Sequence, residues 1–338
     1  MRVLYAIQGT GNGHLSRAMD IIPLLQKKCR LDILVSGCQA DLTLPFEVKY
    51  KCHGLSFIFG KKGGVSFVKT FAQLQSRAFY DQVRQLPVDD YDLVISDFEP
   101  IAAWACYFKK KPCIALSHQS GVLAPGAPQP NKEDILGKFI LKNYAPATTH
   151  YGFHFQRFSP NTFTPVIRLQ VRELTPTNKE HYTVYLPAFE DELLLKKLSL
   201  FPDIKWEVFS KHNRQPLQHK NIQIRPIDNA LFVQSMAASA GVLCGAGFET
   251  PAEALYLQKK LLVVPMKNQY EQHCNAAALA TMGVPVIKSL KRKNLPVIAE
   301  WLQNGQVIPI QYPDETESII NSILDQHAVQ ANHVTGRI

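Results

Sequence analysis

The chain reads as an α/β protein built from two Rossmann-like units, each a doubly wound and mostly parallel sheet, facing one another across a cleft. Three observations predict this. Short apolar runs alternate with longer amphipathic ones along most of the chain, the pattern of βαβ units. The alternation breaks once, in a polar and proline-spotted stretch inside Asn161–Lys179, and restarts at Thr183. A length of 338 residues also corresponds to two domains at roughly 100–200 residues each. The expected organisation is an N-terminal Rossmann-like domain over 1–165, a linker over 166–181, a second domain over 182–312, and a C-terminal helix and tail over 313–338, the helix packing back toward the first domain.

The elements follow in order. Val3–Ile7 is a strand, Gly13–Lys28 a helix and Leu31–Ser36 a strand, and Gln39–Leu44 opens a helix or loop. Val65–Gln85 has helical spacing, with Phe67, Phe71, Leu74 and Ala78 on one face. Leu93–Ser96 is a strand, Pro100–Lys109 a helix and Cys113–Ser117 a strand. Pro125–Lys132 is a loop, Ile135–Asn143 a helix and Thr149–Phe155 a strand. In the second half the strands are Thr183–Leu186, Lys205–Phe209, Ile222–Arg225, Gly241–Cys244 and Leu261–Pro265. The helices between and after them are Glu190–Leu198, Asn229–Ala238, Thr250–Leu257, Gln269–Met282 and Pro313–Gln326, followed by a loose tail. No repeat of fixed period joins the halves.

Composition narrows the function. A net charge of +9 favours an anionic partner, whether nucleotide phosphates, a lipid headgroup or nucleic acid. The seven cysteines (Cys29, Cys38, Cys52, Cys106, Cys113, Cys244 and Cys274) are odd in number and show no CxxC spacing, which argues for reduced, buried thiols and against a zinc site. No leader pattern and no apolar run of about 18–20 residues is present, so a soluble cytoplasmic protein is expected.

Two glycine-rich turns carry the chemistry. In the first, Gly9, Gly11, Asn12 and Gly13 lie between a strand and a helix, where glycine lets a ligand approach backbone N–H groups. The dinucleotide fingerprint fails: His14 stands where its third glycine should be, and the second strand ends in Val35-Ser36-Gly37 without an acidic residue. His14 itself sits at a helix start on the crevice edge, a position suited to a neutral general base. Asp97 and Glu99 end a strand at the same edge, where one carboxylate can orient an imidazole or cap the helix that begins at Pro100. Glu99 and His118 are further crevice candidates on the acceptor side.

The second turn, Gly245-Ala246-Gly247-Phe248-Glu249-Thr250, follows the strand GVLC. Thr250 is the expected N-cap and Pro251 the first helical residue, giving a helix start suited to a pyrophosphate. Glu253 lies in the first turn, within reach of ribose hydroxyls. Downstream, Gln272 and Asn275 share a helix face just past the strand LLVVP. Glu271 and Gln272 together make a carboxylate and amide pair fit to hold sugar hydroxyls. Basic runs at Lys61-Lys62 and Lys109-Lys110-Lys111, the first flanked by aromatic residues, are either solvated or dock on an anionic surface.

With these motifs in place, the chain resembles GT-B glycosyltransferases, in particular the peptidoglycan-precursor N-acetylglucosaminyltransferase and the UDP-glycosyltransferase superfamily. The resemblance covers roughly residues 1–120 and 183–282. It rests on GTGNGHxxRA at the N-terminus, on Gly245 through Glu253 and Leu255, on Pro265, and on Glu271-Gln272 with Asn275-Ala276. It implies that residues 245–250 hold a diphosphate, Glu253 the ribose and Gln272 the donor sugar, and that the backbone near Ile227 meets the base. It implies His14 as base with Asp97 as partner, no metal and no cofactor, the nucleotide-sugar being a substrate. Ala246 departs from the family's second glycine and Glu271 from its usual aspartate. The function so implied is an inverting, metal-independent transfer from a nucleotide-diphosphate sugar, UDP-linked, to an acceptor hydroxyl that is lipid-linked or of the cell envelope. A peripheral contact with an anionic membrane, at its inner face, and no nucleic acid partner, complete the expectation. The rivals are a sugar-nucleotide epimerase on the same fold and a non-catalytic nucleotide- or lipid-binding protein.

Overall fold

The computed structural model describes residues 1–37, 44–53, 77–132 and 134–335. Expectations for Gln39–Thr43, for Lys61-Lys62 with its aromatic flanks and for Val65–Ser76 fall outside these residues. The first half is a seven-stranded, all-parallel sheet: β1 (Arg2–Gln8), β2 (Arg30–Ser36), β3 (Tyr50–Cys52), β4 (Leu93–Asp97), β5 (Cys113–Ser117), β6 (Thr149–Phe153) and β7 (Thr162–Phe163), in the order β3-β2-β1-β4-β5-β6-β7. The second half is a six-stranded sheet of β8 (His181–Tyr185), β9 (Lys205–Ser210), β10 (Leu217–His219), β11 (Ile222–Pro226), β12 (Gly241–Gly245) and β13 (Lys260–Val264), ordered β10-β11-β9-β8-β12-β13, with only β10 antiparallel. These are two doubly wound domains. Strand order reverses between β1 and β4 in one and between β8 and β12 in the other, and such switch points open a crevice at the strands' carboxyl ends.

The strands are buried on both faces. Residues 3–8 of β1 and every residue of β4 and β5 are buried, as helices on both sides of a parallel sheet require. On one side α1 (Asn12–Lys28) packs Leu15, Ala18, Ile21, Ile22 and Leu25 into the core. Around the rest of the first sheet lie α2 (Arg77–Gln85), α3 (Pro100–Phe108), α4 (His118–Val122) and α5 (Ile135–Asn143). The connection carries a single turn, α6 (Leu169–Arg172), and the second domain carries α7 (Asp191–Leu198), α8 (Asn229–Ala238), α9 (Glu249–Tyr256), α10 (Tyr270–Thr281) and α11 (Leu295–Asn304). The chain then returns. The last helix, α12 (Thr316–Thr335), packs on α1, and the Tyr151 hydroxyl donates to Gln326 (2.8 Å).

Three local expectations are corrected. The last helix runs on to Thr335 instead of ending at Gln326, because no proline or glycine interrupts the polar stretch before Gly336. Thr250 is not a cap: α9 begins at Glu249 after Phe248, and Pro251 is its third residue. Proline fits there because the N–H it lacks has no intrahelical partner anywhere in the first turn. Finally, α4 and α11 fall where no helix is expected. The first has only five residues, one of them glycine, so its helicity is imposed by packing.

That packing is unusually close. A Cβ placed on Gly152 of β6 would lie 2.2 Å from the Gly121 backbone nitrogen of α4, and one on Gly121 would lie 2.2 Å from the Phe153 carbonyl oxygen. Both neighbours are backbone and cannot step aside. Gly152→Ala is therefore expected to cost about 1–3 kcal/mol or more through overpacking, read as a lower urea midpoint; an unchanged midpoint would show that α4 is free to lift off the sheet.

Candidate functional site

The site begins with Gly11. Its φ of +93° caps α1 in a conformation that favours glycine, and the helix then starts at Asn12 with its first turn aimed at the cleft. Gly9 serves packing: a Cβ there would meet Val35 Cγ1 at 2.9 Å. Gly13 leaves room for the opposite domain, since a Cβ would lie 3.2 Å from Glu249 Cγ.

His14 and Asp97 come together as expected from their crevice positions, and Arg17, one turn along α1, joins them. His14 Nδ1 donates to Asp97 Oδ1 (2.8 Å). An unprotonated Nδ1 would set two lone pairs against each other at this distance, so a ring proton sits there, and in the neutral tautomer Nε2 carries the lone pair. Arg17 grips the same carboxylate with Nη2 at 2.7 and 2.8 Å and with Nε at 3.2 Å, while its Nη1 donates to Glu249 across the cleft. Burial opposes the charge on Asp97, but Arg17 and His14 outweigh it and hold the carboxyl below its ordinary value. Arg17 is 1% exposed; despite burial, the two carboxylates keep it firmly protonated. Burial raises the Glu249 carboxyl above its ordinary value, and the Arg17 guanidinium pulls the other way.

The cleft holds a cavity of about 280 Å³. Its N-terminal wall includes Gly11, Gly13, His14, His118 and Gln119, and its opposite wall includes Gly247, Phe248, Glu249, Glu271 and Gln272. Gln119 donates to Glu271 (3.0 Å) and brings its amide nitrogen to 3.4 Å from His14 Nε2. Burial raises the Glu271 carboxyl, opposed by that hydrogen bond. Gln272 Oε1 accepts from the Met266 backbone (2.8 Å), fixing the side chain at the wall. The side-chain oxygens of Gln119 and Gln269 are buried without a protein partner, so two acceptors in this wall await donors. Sequence reasoning missed Arg17, Gln119 and Gln269 as site residues. Arg17 was visible within GTGNGHLSR, but nothing in the sequence shows that it spans two domains.

Other expected residues lie elsewhere. Asp97 is fully buried behind His14. Glu99 is a cap, not an acceptor-side group: its carboxylate accepts from the Ile101 and Ala102 nitrogens at 2.8 and 2.7 Å, and burial lifts it to about 7 against those bonds. His118 stacks on Phe248 at 3.8 Å, donates from Nδ1 to the Phe153 carbonyl and sets Nε2 2.8 Å from Asn275 Oδ1. Burial and His154 push its pKa well below the usual range, and the ring is locked between the domains. Ala246 is buried and its carbonyl accepts from Asn275. Gly245, Thr250 and Ile227 are not on the cavity wall. Among the described residues no group of histidine, cysteine or carboxylate side chains forms a metal cluster.

Glu253 departs most from expectation. It is 2% exposed, and both its oxygens accept from Arg168, which also donates to Asn229. The expected ribose ligand is thus closed inside a clamp that ties the interdomain connection to α9. The reason is a partner near in space and distant in sequence: a carboxylate buried here requires a cation, which Arg168 supplies. Arg168→Ala would strand that charge and is expected to cost about 3–5 kcal/mol of stability, measured by chemical denaturation. A loss within experimental scatter would mean that Glu253 finds water instead.

Residues 1–305 match the family described as Glycosyl transferase family 1. No curated protein matches the sequence. Among solved structures, the chain is similar to the glycosyltransferase SnogD from Streptomyces nogalater (TM-score 0.55, 14% identity, covering 96% of this chain and 99% of that one). MurG from Acinetobacter baumannii gives the same TM-score of 0.55 and 14% identity, with 96% and 99% covered. The glycosyltransferase SsfS6 of Streptomyces sp. SF2575, complexed with thymidine diphosphate, gives 0.56 at 13% identity, with 97% and 96% covered.

Proposed function

The chain belongs to glycosyl transferase family 1 and has the GT-B fold, and from that premise we propose that it moves a sugar from a nucleoside-diphosphate donor, UDP-linked, to an acceptor hydroxyl with inversion. One observation carries the reading: His14, with its Nε2 lone pair free of a strong partner and its Nδ1 tied to Asp97, shares a cavity with the start of α9 at Gly247–Glu249. A base and an anion-binding helix start on facing walls are what in-line displacement needs.

In this scheme the acceptor hydroxyl replaces Gln119 beside His14 Nε2 and gives up its proton there. The oxygen attacks the anomeric carbon, the bond from that carbon to the phosphate oxygen breaks, and the pair of electrons leaves with the diphosphate. The dipole at the α9 start faces that charge, so the scheme assigns the role to the helix and to Arg17 and not to a metal ion. Asp97 stabilises the imidazolium that forms. Glu271 and Gln272, with Gln119 beside them, meet the sugar, Gly247–Glu249 meet the diphosphate, and the backbone at Ile227, beyond that wall, is left for the base. Glu253 supports this helix through Arg168 without touching ribose. The bound thymidine diphosphate of SsfS6 supports a nucleotide donor, and the acceptor is proposed to be lipid-linked or of the cell envelope and met at a membrane's inner face.

His14→Ala is expected to lower kcat about 10²–10⁴-fold, the range of a general base, with calorimetric donor affinity little changed. Asp97→Asn should lose less. Near wild-type turnover in a folded His14→Ala protein would remove the base from this position, and a collapse of donor affinity would make the glycine turn a phosphate clamp instead. Thermal stabilisation across UDP-, dTDP- and GDP-linked sugars identifies the donor; product analysis that finds only an epimerised donor would overturn transfer.

A further inference from the structure

The second sheet has a polar floor at the end remote from the cleft. His181 and Lys205 are the first residues of β8 and β9 and lie opposite one another in register, and Gln223 of β11 lies opposite Glu207 of β9. Side chains alternate across a strand, and here the two faces differ in kind. Trp206, Val208, Ile222 and Ile224 are buried in the core on one face. Lys205, Glu207, Gln223 and Arg225 occupy the other, and none of the four is buried. Parallel strands ordinarily have both faces covered by helices. At this end α8 reaches β8, where His181 Nε2 lies 3.1 Å from the Ser235 carbonyl, and leaves β9 and β11 open.

The open part is a groove of about 860 Å³, in the upper range of small-molecule sites, about 300–1,000 Å³. It shares no residue with the cleft cavity. Toward the carboxyl ends the same face turns aromatic, with Phe232 of α8 at 5.2 Å from Phe209 and 5.3 Å from Tyr185 between ring centroids, so the polar floor stops short of the cleft. Four cations face the groove, Lys179, Lys205, Lys220 and Arg225, against two carboxylates, Asp203 and Glu207. Glu207 is shared between Arg225 (3.5 Å) and His181 (3.8 Å). The three lysines are exposed, come from three separate segments, and form no ion pair among the described residues. Arg225 Nη2 donates to Gln223 Oε1 (2.8 Å), but its Nε is buried without a protein partner, so a donor in this wall is unspent.

We propose that this groove binds an anionic saccharide, a sugar or sugar chain bearing phosphate or sulfate, apart from the donor cleft. Lysines set around an open rim meet charge spread over a ligand, and the Arg225 Nε gives an oxyanion one charge-assisted donor. Sugar hydroxyls both donate and accept. The amides of Gln218, Gln223 and Gln234 answer both needs, and Asp203 and Glu207 accept. A lone phosphate would leave these amides and carboxylates without a role. A nucleic acid strand binds through rings that stack on its bases, and the groove offers none: the Trp206 ring is 1% exposed and packs on Tyr182 and Phe201 in the opposite core. The assignment does not depend on the proposed transfer reaction.

Calorimetric titration of the full chain tests it without any sugar donor, using mannose 6-phosphate, a sulfated hexasaccharide, uncharged mannose and inorganic tripolyphosphate. Both anionic saccharides are expected to bind, more weakly in high salt, and mannose not to. The tighter of the two tells a free sugar phosphate from a glycan chain as the source. Lys205→Glu with Lys220→Glu should weaken saccharide binding about tenfold or more. Both side chains are exposed, so the melting temperature should hold. Gln234→Ala should weaken it about two- to tenfold, the range of one neutral hydrogen bond, and leave tripolyphosphate binding unchanged. Absence of binding by the intact chain, or unchanged affinity in the double lysine variant, overturns the proposal. So does tripolyphosphate binding as tightly as the hexasaccharide, since charge alone would then explain it, or an RNA hexanucleotide binding more tightly. Displacement of the saccharide by UDP would place it in the cleft and also overturns it. Failure here with intact transfer would leave the reaction standing, and saccharide binding lost in the lysine variant of a chain that transfers nothing would do the reverse.

Discussion

Arg17 is a buried cation between two carboxylates from opposite domains, and the arrangement of the site depends on it. Removing a guanidinium from water is costly unless its hydrogen bonds and charge are answered. Here Asp97 answers from the same domain and Glu249 from the other. The pairing works in both directions. Asp97, fully buried, remains ionised because Arg17 is beside it, and only an ionised Asp97 fixes the His14 tautomer that turns a lone pair to the cleft. The orientation of the candidate base is thus linked, through one guanidinium, to the start of the helix that faces the leaving group. Phe153 lies beneath Arg17, with the guanidinium carbon 5.6 Å from its ring centroid, adding a cation–π contact in a dry setting.

Most of the fold was legible because parallel sheets write themselves plainly. A strand buried on both faces must be an apolar run, and β4, β5, β12 and β13 are read almost to the residue. The crevice residues His14 and Asp97 were legible for a related reason: chain order alone puts them at the carboxyl ends of β1 and β4, which the topology makes neighbours, with Ile7 opposite Asp97 in register. What was not legible depends on contacts distant in sequence. The five-residue α4 exists because Gly121 and Gly152 let backbones touch. Gln119 gains a role only when α4 faces α10. Glu253 fits a familiar motif, but its environment is decided by Arg168, 85 positions away, in a stretch that reads as linker. Glu99 was open between a chemical and a capping role, and the short bonds to Ile101 and Ala102 decide for the cap.

The two departures from the resembled motif have different consequences. Ala246 in place of glycine changes little, because its methyl group points into the core while its carbonyl, which any residue supplies, takes the Asn275 amide. Glu271 in place of aspartate changes the cleft itself. Its carboxylate meets the Gln119 amide of the opposite domain at 3.0 Å, and a side chain one methylene shorter on the same backbone would fall short of that partner. The longer residue therefore turns a one-sided sugar wall into a bridge. A ligand entering between the domains must compete with this bridge for the same carboxylate, or add its hydroxyls around it, where the unpaired oxygens of Gln119 and Gln269 wait. A ligand hydroxyl that reaches either oxygen supplies a donor that no protein group gives it. Selectivity at this wall then rests on where hydroxyls fall relative to two glutamine oxygens from different domains.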